Sequence, residues 1–333
     1  MQKSITHISL PEGADQHHRP SFYLAMEEFV ANELRELDEC FFLWQVAPTV
    51  YFGRNQLIDS EVNVQFCREH GIDMIRRKSG GGCVYADMSN VMFSYINTGW
   101  DVKATFSHYL HRTIDMLCSL GVKAYASERN DVMIDGRKVS GYAFYHIPGR
   151  NIVHGTMLYD TDMQNMVSAI TPSNQKLVSK GVESVRQHIC LLKDYIGDRM
   201  DVNSFKQFAI SHICNNEHKL TDADIIKIKD IQRGYHDEAY IYGHNPRCTL
   251  ERNVRIDGVG EFKALLELSS GSIVQDINLM GDFFLIGDLN ELLSKFVKVE
   301  YQREAMLRAL GDSRPDDYIM GLTRENLINV LID

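Results

Sequence analysis

The sequence lacks the features that mark a membrane, secreted or nucleic-acid-binding protein. No window approaches the roughly 18 apolar residues that a bilayer-spanning helix needs, and the N-terminal stretch MQKSITHISL has no apolar core of signal-peptide length. The 7 cysteines are odd in number and lie far apart, which disfavours disulfides and a structural zinc site. The formal net charge of −10 argues against an extended basic surface. We therefore expect a soluble, cytoplasmic protein that binds neither membranes nor nucleic acid.

The chain has enough residues and enough apolar side chains for two domains. It has 333 residues, of which 44% are hydrophobic, and a single core seldom grows beyond about 250–300 residues. Gly243, Asn245 and Pro246 interrupt the pattern between residues 242 and 250. We place a domain boundary there, which gives a larger domain of residues 1–245 and a smaller one of residues 246–333.

Helical and strand patterns follow one another without the regular alternation of βαβ units. Apolar residues recur at helical spacing from Phe22 to Leu37, and the runs Phe41 to Trp44 and Thr49 to Phe52 predict the two strands of a hairpin. Later segments predict strands at 72–75, 90–96 and 151–159, a helix at 106–120, and a hairpin followed by helices in the smaller domain. This order predicts an α+β fold with a mixed, antiparallel-rich sheet and a small α+β C-terminal domain. It disfavours a doubly wound dinucleotide fold.

Residues 76–87, RRKSGGGCVYAD, place three consecutive glycines after three basic residues. Gly80, Gly81 and Gly82 can adopt positive φ and turn their N–H groups toward a ligand, and the cationic side chains nearby favour an anion. A flexible turn with solvated basic residues fits the segment equally well. The spacing matches neither the dinucleotide fingerprint nor the P-loop.

A second motif is the turn Asp135-Gly136, which is a strong type I′ hairpin signal. It places Lys138 just inside the returning strand. A third is the polar segment TPSNQKLVSKG at 171–181, which is long for a hairpin loop. That segment is equally consistent with a lid over a ligand and with a solvated loop.

With these segments in order, the chain resembles the lipoate-protein ligase A family over nearly its full length. Five blocks carry the resemblance: FLWQVAPTVYFGRNQ at 42–56, RRKSGGGCVYADMSN at 76–90, ERNDVMIDGRKVSG at 128–141, HGTMLYDTDM at 154–163 and KLVSKGVESVR at 176–186. The tail, from YGHNP to MGDFF at 280–284, resembles the accessory domain of the long forms. The resemblance implies a catalytic domain related to biotin-protein ligases and class II synthetases. It also implies a two-step reaction in which lipoate and ATP give lipoyl-adenylate, and the acyl group then passes to a lysine of a carrier domain.

The resemblance implies a role for each motif residue. Lys138 is expected to contact the carboxylate and the α-phosphate and to stabilise negative charge as the adenylate forms and as AMP leaves. Asp131, beside Asn130, is expected either to orient Lys138 or to hold Mg²⁺ bound to the phosphates. The polar segment, with Lys176 and Lys180, is expected to order over the adenylate and to exclude water.

The glycine segment and the HGT block supply the remaining site residues that the resemblance implies. The nucleotide and the acyl phosphate are expected against Arg77 and the backbone of Gly82, Cys83, Val84 and Tyr85. The floor of the lipoyl channel is expected at Ser79, Gly80 and Gly81, with the strand pair His154-Gly155 lining the same pocket. His154 is equally consistent with a packed, hydrogen-bonded histidine.

Two features depart from the family pattern or open an alternative. Ala86 stands where many members have histidine, so any contact of that histidine is absent here. Cys83 raises the alternative of an ATP-independent octanoyl or lipoyl transferase, but the nucleophile of such enzymes corresponds to the region 127–131, SERND, which has no cysteine. A non-catalytic sensor of lipoate or lipoyl-AMP is a further alternative. The expected acceptors are lipoyl domains of 2-oxoacid dehydrogenase acyltransferase subunits and the glycine-cleavage carrier, and we expect a monomer.

Overall fold

Eight strands form the main sheet of the computed structural model, which describes residues 4–13, 18–99, 101–127, 131–170, 187–243 and 248–332. The strands are β1 (Ile5–Ser9), β2 (Glu39–Trp44), β6 (Val91–Thr98), β7 (Ala124–Ala126), β8 (Val132–Ile134), β9 (Arg137–Ile147), β10 (Arg150–Met157) and β11 (Asn216–Lys219). Their order is β11-β1-β2-β6-β10-β9-β8-β7. β1 is parallel to both neighbours, and the other pairs are antiparallel. The prediction of a mixed, antiparallel-rich sheet is therefore confirmed.

A second, three-stranded sheet carries the glycine segment. It consists of β3 (Thr49–Phe52), β4 (Asp73–Arg76) and β5 (Val84–Ala86) in the order β4-β3-β5. The predicted hairpin between residues 41–44 and 49–52 is wrong, because β2 joins the main sheet and β3 the second one. Pro48, just before β3, has no N–H to donate to a strand ladder. Both β2 and β3 are buried, so each strand must pair with neighbouring strands of its own sheet.

Helices cover both faces of the main sheet. Helix α1 (Pro20–Glu33) and helix α8 (Asp222–Gln232) pack on one face, and α4 (Val102–Ser119) and α7 (Val202–Ile213) pack on the other. β6 shows why two cores form, since its alternate side chains point to opposite faces. The shorter helices of this domain are α2 (Ile58–Glu61), α3 (Val64–Glu69), α5 (Met163–Ile170), α6 (Lys193–Ile196) and α9 (Glu238–Tyr242), with 3₁₀ turns at Gly197–Arg199 and Arg233–His236.

The C-terminal part has a core of its own. It contains an antiparallel sheet of β12 (Leu250–Ile256), β13 (Gly260–Leu268) and β14 (Val274–Gly281), together with α10 (Leu289–Ser294), α11 (Arg303–Leu310), a 3₁₀ turn (Pro315–Asp317) and α12 (Arg324–Ile332). Their apolar side chains pack together, as the expected small α+β domain requires. The proposed boundary falls between α9 and β12, where residues 244–247 lie outside the described part.

Local turn chemistry places the strand that carries Lys138. Asp135 and Gly136 have φ of 48° and 76°, which is the backbone of a type I′ turn between β8 and β9. Lys138 is thus the second residue of β9, as predicted. Among the residues that the structure describes, none of the helices combines the length and the apolar character that a bilayer crossing needs.

Candidate active site

A cavity of about 580 Å³ lies between the main sheet, the glycine segment and the C-terminal domain. Its apolar walls come from both domains and include Leu24, Trp44, Tyr51, Met92, Phe106, Ala143, Val259, Phe284 and Met320. Among the residues that the structure describes, the charged side chains on the cavity are few: Arg77, Asp131, Lys138 and Asp282. A long apolar wall with a small number of charged groups suits a ligand with an apolar body and an anionic end.

Lys138 and Asp131 form an ion pair at this cavity. Lys138 Nζ lies 2.9 Å from Asp131 Oδ1, and the two side chains are 39% and 22% exposed, so the pair remains open to a ligand. The room for the lysine comes from Gly141, because a Cβ there would lie 2.4 Å from Lys138 Cε. The backbone carbonyl of Lys138 accepts from the N–H of Cys190, which fixes the strand edge.

The structure describes only part of the expected metal-binding pair. The backbone of Asp131 is held by Ser127, whose Oγ accepts from the Asp131 N–H at 3.1 Å. Asn130 lies outside the described residues. Within the described ranges, no group of three or more histidine, cysteine, aspartate or glutamate side chains is arranged to hold a metal ion.

Arg77 fills the inside of the glycine segment. Its Nη2 donates to the carbonyls of Gly80 and Gly82 at 2.7 and 2.6 Å, and its Nη1 donates to the carbonyl of Tyr51 at 3.2 Å. Nε donates to Ser79 Oγ at 2.9 Å, which leaves one Nη1 N–H without a partner among the described residues. Burial lowers the pKa of Arg77 to about 10, so the guanidinium stays charged at neutral pH. It therefore holds the loop and places positive charge at the cavity wall.

The two basic residues beside Arg77 point elsewhere. Arg76 donates to backbone carbonyls, among them those of Gln56 at 2.7 Å and of Tyr240 at 2.9 Å, and Lys78 pairs with Glu28 at 2.7 Å. Neither side chain lines the cavity. The positive charge that the sequence pattern RRK suggested at the ligand is thus concentrated in Arg77.

The glycine segment approaches its neighbours closely. Gly81 has a φ of 83°, which only glycine adopts without strain. A Cβ on Gly53 would lie 2.2 Å from the carbonyl oxygen of Gly81, so the loop packs directly against the end of β3. Of the residues expected here, Gly81, Gly82, Cys83 and Val84 line the cavity, whereas the following residue, Tyr85, is buried in β5 away from it.

Cys83 is placed on the cavity but is a poor candidate for a nucleophile. Burial raises the pKa of its thiol to about 12, although the nearby Arg77 acts in the opposite direction. A thiol must ionise to attack an acyl group. The environment of Cys83 therefore disfavours acyl-cysteine chemistry.

His154 and Gly155 both belong to the cavity wall on β10. His154 is also held by hydrogen bonds on both ring nitrogens: Nδ1 lies 2.9 Å from Glu27 Oε2 and Nε2 lies 2.7 Å from Ser79 Oγ. Ser79 and Gly80 themselves lie behind the wall. A Cβ on Gly155 would lie 2.3 Å from the ring of Tyr142, so this position has room only for glycine.

Ala86 and Asp87 close the glycine block. Ala86 is fully buried in β5, opposite Thr49. The carboxylate of Asp87 accepts from the N–H of Ser89 and from Oγ1 of Thr161, so it ties the end of the block to the start of α5. Asp87 thus has a structural role.

Several cavity residues were not assigned to the site from the sequence. Phe284 of the C-terminal domain stacks on Phe144 of β9, with ring centroids 5.8 Å apart, and Asp282 lines the cavity beside Gly82. The sequence block MGDFF indicates an accessory domain but does not indicate which of its residues face the site. Lys176, Lys180 and the rest of the polar segment at 171–181 lie outside the described residues.

Comparison with known proteins places the chain in a family. A family model of the lipoyl protein ligase A/B catalytic domain matches residues 19–214, and a model of the bacterial lipoate protein ligase C-terminus matches residues 245–331. The chain belongs to the lipoate-protein ligase family. Lipoate-protein ligase LplJ of Bacillus subtilis is 32% identical to this chain. The aligned region covers 94% of this chain and 96% of LplJ. Lipoate–protein ligase 1 of Staphylococcus aureus is 31% identical, with the same coverage of both chains.

Solved structures share the fold of this lipoate-protein ligase family member. The crystal structure of P. falciparum LipL1 in complex with lipoate has a TM-score of 0.76 at 19% identity and covers 98% of this chain and 97% of that one. A lipoate-protein ligase A bound with ATP has a TM-score of 0.62 at 20% identity, over 73% of this chain and 99% of that one. The family resemblance expected from the five sequence blocks is thus confirmed.

Proposed function

We propose that this chain is an ATP-dependent ligase that attaches lipoate to lysines of carrier proteins. The observation that carries the proposal is the Lys138–Asp131 pair, open at one side of a largely apolar cavity whose wall includes the glycine segment. The apolar wall suits the acyl chain and ring of lipoate, and the ammonium group suits its carboxylate. The names of the relatives, together with the lipoate-bound and ATP-bound neighbours, support the same substrates.

The first step forms an acyl-adenylate. A carboxylate oxygen of lipoate attacks the α-phosphorus of ATP, the bond from that phosphorus to the bridging oxygen breaks, and pyrophosphate leaves. Negative charge builds on the phosphoryl oxygens in the transition state, and Lys138 supplies a fixed positive charge that stabilises it. Arg77, with its remaining N–H, and the backbone of residues 82–84 are the proposed contacts of the nucleotide phosphates.

The second step transfers the acyl group. The amine of a carrier lysine attacks the lipoyl carbonyl, the bond to AMP breaks, and the amine loses a proton as the amide forms. Lys138 then stabilises the phosphate of the departing AMP. We propose that the segment with Lys176 and Lys180 closes over the adenylate and excludes water, since hydrolysis of the mixed anhydride would compete with transfer.

Magnesium bound to the ATP phosphates would neutralise part of their charge in the first step. Asp131 is the described carboxylate nearest to Lys138, and it is partly exposed, so it can offer one oxygen to such an ion. Together with Asn130 it forms the proposed contact. Mg²⁺ usually keeps several waters and phosphate oxygens, which fits a site with few protein ligands.

The proposed acceptors are the lipoyl domains of 2-oxoacid dehydrogenase acyltransferase subunits and the glycine-cleavage carrier protein. A structural neighbour from Thermoplasma acidophilum is described together with its E2 lipoyl domain, which supports this class of acceptor. We further propose that the enzyme is a monomer in the cytoplasm. The raised pKa of Cys83 disfavours the alternative of a cysteine-dependent transferase. A non-catalytic sensor would differ from a ligase in that it cannot form the adenylate.

Lipoate-dependent exchange of pyrophosphate into ATP, without any acceptor protein, tests the proposal. We expect exchange in the parent and a loss of at least about 100-fold in Lys138→Ala, which is typical when one charge-stabilising donor is removed. Lys193→Ala is the matched control, since Lys193 forms an ion pair of the same length with Asp160 but does not line the cavity. Absence of exchange in the parent would favour the transferase or the sensor.

A further inference from the structure

Glu27 is a buried carboxylate that neither the sequence motifs nor the proposed chemistry uses. It lies in the middle of α1 and is 0% exposed. Oε1 accepts a hydrogen bond from Ser94 Oγ at 2.5 Å, and Nδ1 of His154 lies 2.9 Å from Oε2. A carboxylate without access to solvent is costly unless it is paired or hydrogen-bonded.

The hydrogen bonds around Glu27 continue to the glycine segment. Nε2 of His154 lies 2.7 Å from Ser79 Oγ, and Ser79 Oγ accepts from Arg77 Nε at 2.9 Å. Four side chains thus form one continuous chain from α1 through β10 to the ligand loop, with a carboxylate at one end and a guanidinium at the other. All four are buried, with at most 5% of their surface exposed.

With Glu27 ionised and His154 neutral, the donors and acceptors leave one direction for these bonds. Trp44 Nε1 donates to Ser94, so the hydroxyl proton of Ser94 is available for Glu27. An ionised carboxylate only accepts, so His154 must carry its proton on Nδ1. Nε2 then accepts the hydroxyl proton of Ser79, which leaves an Oγ lone pair free to accept from Arg77.

We propose that Glu27 is a positioning residue for the nucleotide: acting through His154 and Ser79, it fixes Arg77 and thereby the glycine loop in the conformation that binds phosphate. The inference rests on the proposed ligase function for the identity of the ligand. Its physical basis is that Arg77 shapes the loop by holding the carbonyls of Gly80 and Gly82. The orientation of Arg77 about Nε depends on Ser79 presenting a lone pair, and not its hydroxyl proton, to that N–H, and Glu27 decides this through the tautomer of His154.

The chain has the connectivity of a Ser-His-acid triad, but the burial argues against a nucleophilic serine. Ser79 is 0% exposed and does not line the cavity, whereas His154 and Arg77 on either side of it do. A substrate carbonyl in the cavity therefore meets the histidine and the arginine and not the hydroxyl. The geometry assigns orientation, not acyl transfer, to this chain.

The test compares Glu27→Gln with Glu28→Gln. Glutamine keeps the size of Glu27 but loses its charge and gains an N–H donor, so His154 no longer has to carry its proton on Nδ1. Glu28 is the matched control on the same helix, because its carboxylate bonds to Lys78 and Tyr235 and takes no part in the chain. The first readout is the ¹⁵N shifts of the His154 imidazole in histidine-labelled protein, assigned by difference with His154→Asn.

We expect the parent and Glu28→Gln to show the Nδ1–H tautomer, and Glu27→Gln to show an increased Nε2–H population. In pyrophosphate exchange we expect Glu27→Gln to raise the KM for ATP by about tenfold or more, as the loss of a charge-assisted hydrogen bond predicts. The KM for ATP of Glu28→Gln should stay within about twofold, the usual effect of a substitution outside the site. An unchanged tautomer and an unchanged KM in Glu27→Gln would overturn the proposal.

A second variant keeps the proposal testable if Glu27→Gln folds poorly. Ser79→Ala removes the link between His154 and Arg77 but keeps the buried hydrogen bond between His154 and Glu27. We expect it to raise the KM for ATP while the parent tautomer of His154 persists, and a parent-like KM would overturn the proposal. If the parent shows no exchange, the proposed ligase function fails, whereas the tautomer measurement still tests the hydrogen-bond chain.

Discussion

The N–H of Gly81 in the ligand loop donates a hydrogen bond to the carbonyl of Phe283 in the C-terminal domain, across 3.2 Å. The approach is close, because a Cβ on Gly80 would lie 2.4 Å from the same carbonyl oxygen. The sequence pattern allows the glycine N–H groups to face an anionic ligand, although a flexible turn fits it equally well. In this conformation the neighbouring domain uses the N–H of Gly81, so an anionic ligand could bind that donor only after the C-terminal domain moves.

This contact between the ligand loop and the C-terminal domain predicts that the C-terminal domain moves when the adenylate forms. We expect a rotation about residues 242–250, which separate α9 from β12. Small-angle X-ray scattering with lipoate plus ATP should show a changed radius of gyration relative to the free protein. Lys138→Ala with the same ligands serves as the control, since it should form little adenylate and keep the profile of the free protein. An identical profile for the parent in both states would contradict the movement.

Gly141→Ala should impair catalysis with little loss of stability. The added Cβ would lie 2.4 and 2.5 Å from Cε and Nζ of Lys138, and a flexible side chain escapes such a clash by moving away. Lys138 would then leave Asp131 and the reacting phosphate. We expect the kcat of pyrophosphate exchange to fall by about tenfold or more, because misplaced groups lose much of their effect.

Gly234→Ala is the control for that substitution, since nothing lies within 4 Å of its added Cβ and its φ is not positive. We expect it to retain the parent kcat. Thermal unfolding should give nearly the same midpoint for both variants. A Gly141→Ala enzyme with full activity would show that the position of Lys138 seen here is not required.

Cys83 should react slowly with alkylating agents at pH 8. Burial raises the pKa of its thiol to about 12, so its thiolate fraction is roughly a thousandth of that of an ordinary thiol, whose pKa is about 8.5–9. The exposed residues Cys118 and Cys248 provide internal references in the same molecule. Iodoacetamide labelling followed by peptide mass spectrometry should modify these two first.

Catalysis provides the second check on Cys83. We expect Cys83→Ala to keep its lipoate-dependent pyrophosphate exchange, because the proposed reaction forms no acyl-cysteine. Rapid labelling of Cys83 together with loss of transfer in the alanine variant would instead support the cysteine-dependent reading.

Short-range signals allowed prediction of the parts of the site that local geometry determines. The position of Lys138 follows from the turn Asp135-Gly136, whose backbone only a few residue pairs adopt, and the structure has that turn. The curvature of the glycine segment was indicated in the same way by its composition. Both features need no information from distant parts of the chain.

Long-range partners decide what could not be predicted. Glu27 lies 127 residues from His154 in the chain, and nothing in the sequence around α1 indicates that its carboxylate meets an imidazole. Arg77 matched a binding motif, but its bond to the carbonyl of Tyr51 appears only once β3 and the glycine segment pack together. The same reason explains the wrong hairpin prediction. The spacing of β2 and β3 permits them to pair, but β3 pairs within the second sheet instead.

Gly155→Ala should destabilise the fold itself. Its Cβ would lie 2.3 Å from Cδ1 of Tyr142 and 2.6 Å from the carbonyl oxygen of Gly141, and the backbone contact cannot be relieved by a change of rotamer. Tyr142 lies opposite Gly155 in the β9–β10 pair, so both its ring and the backbone of β9 would have to shift to accommodate the Cβ. Overpacking of this kind costs about 1–3 kcal/mol, which exceeds the gain of about 0.5–1 kcal/mol from replacing a strand glycine.

Urea denaturation should show this lower free energy of unfolding for Gly155→Ala. The control Gly271→Ala, with open space around its Cβ, should stay within about 0.5 kcal/mol of the parent. Equal stability of the two variants would mean that β10 can shift away from Tyr142, and the close packing of this cavity wall would then not limit the residue at 155.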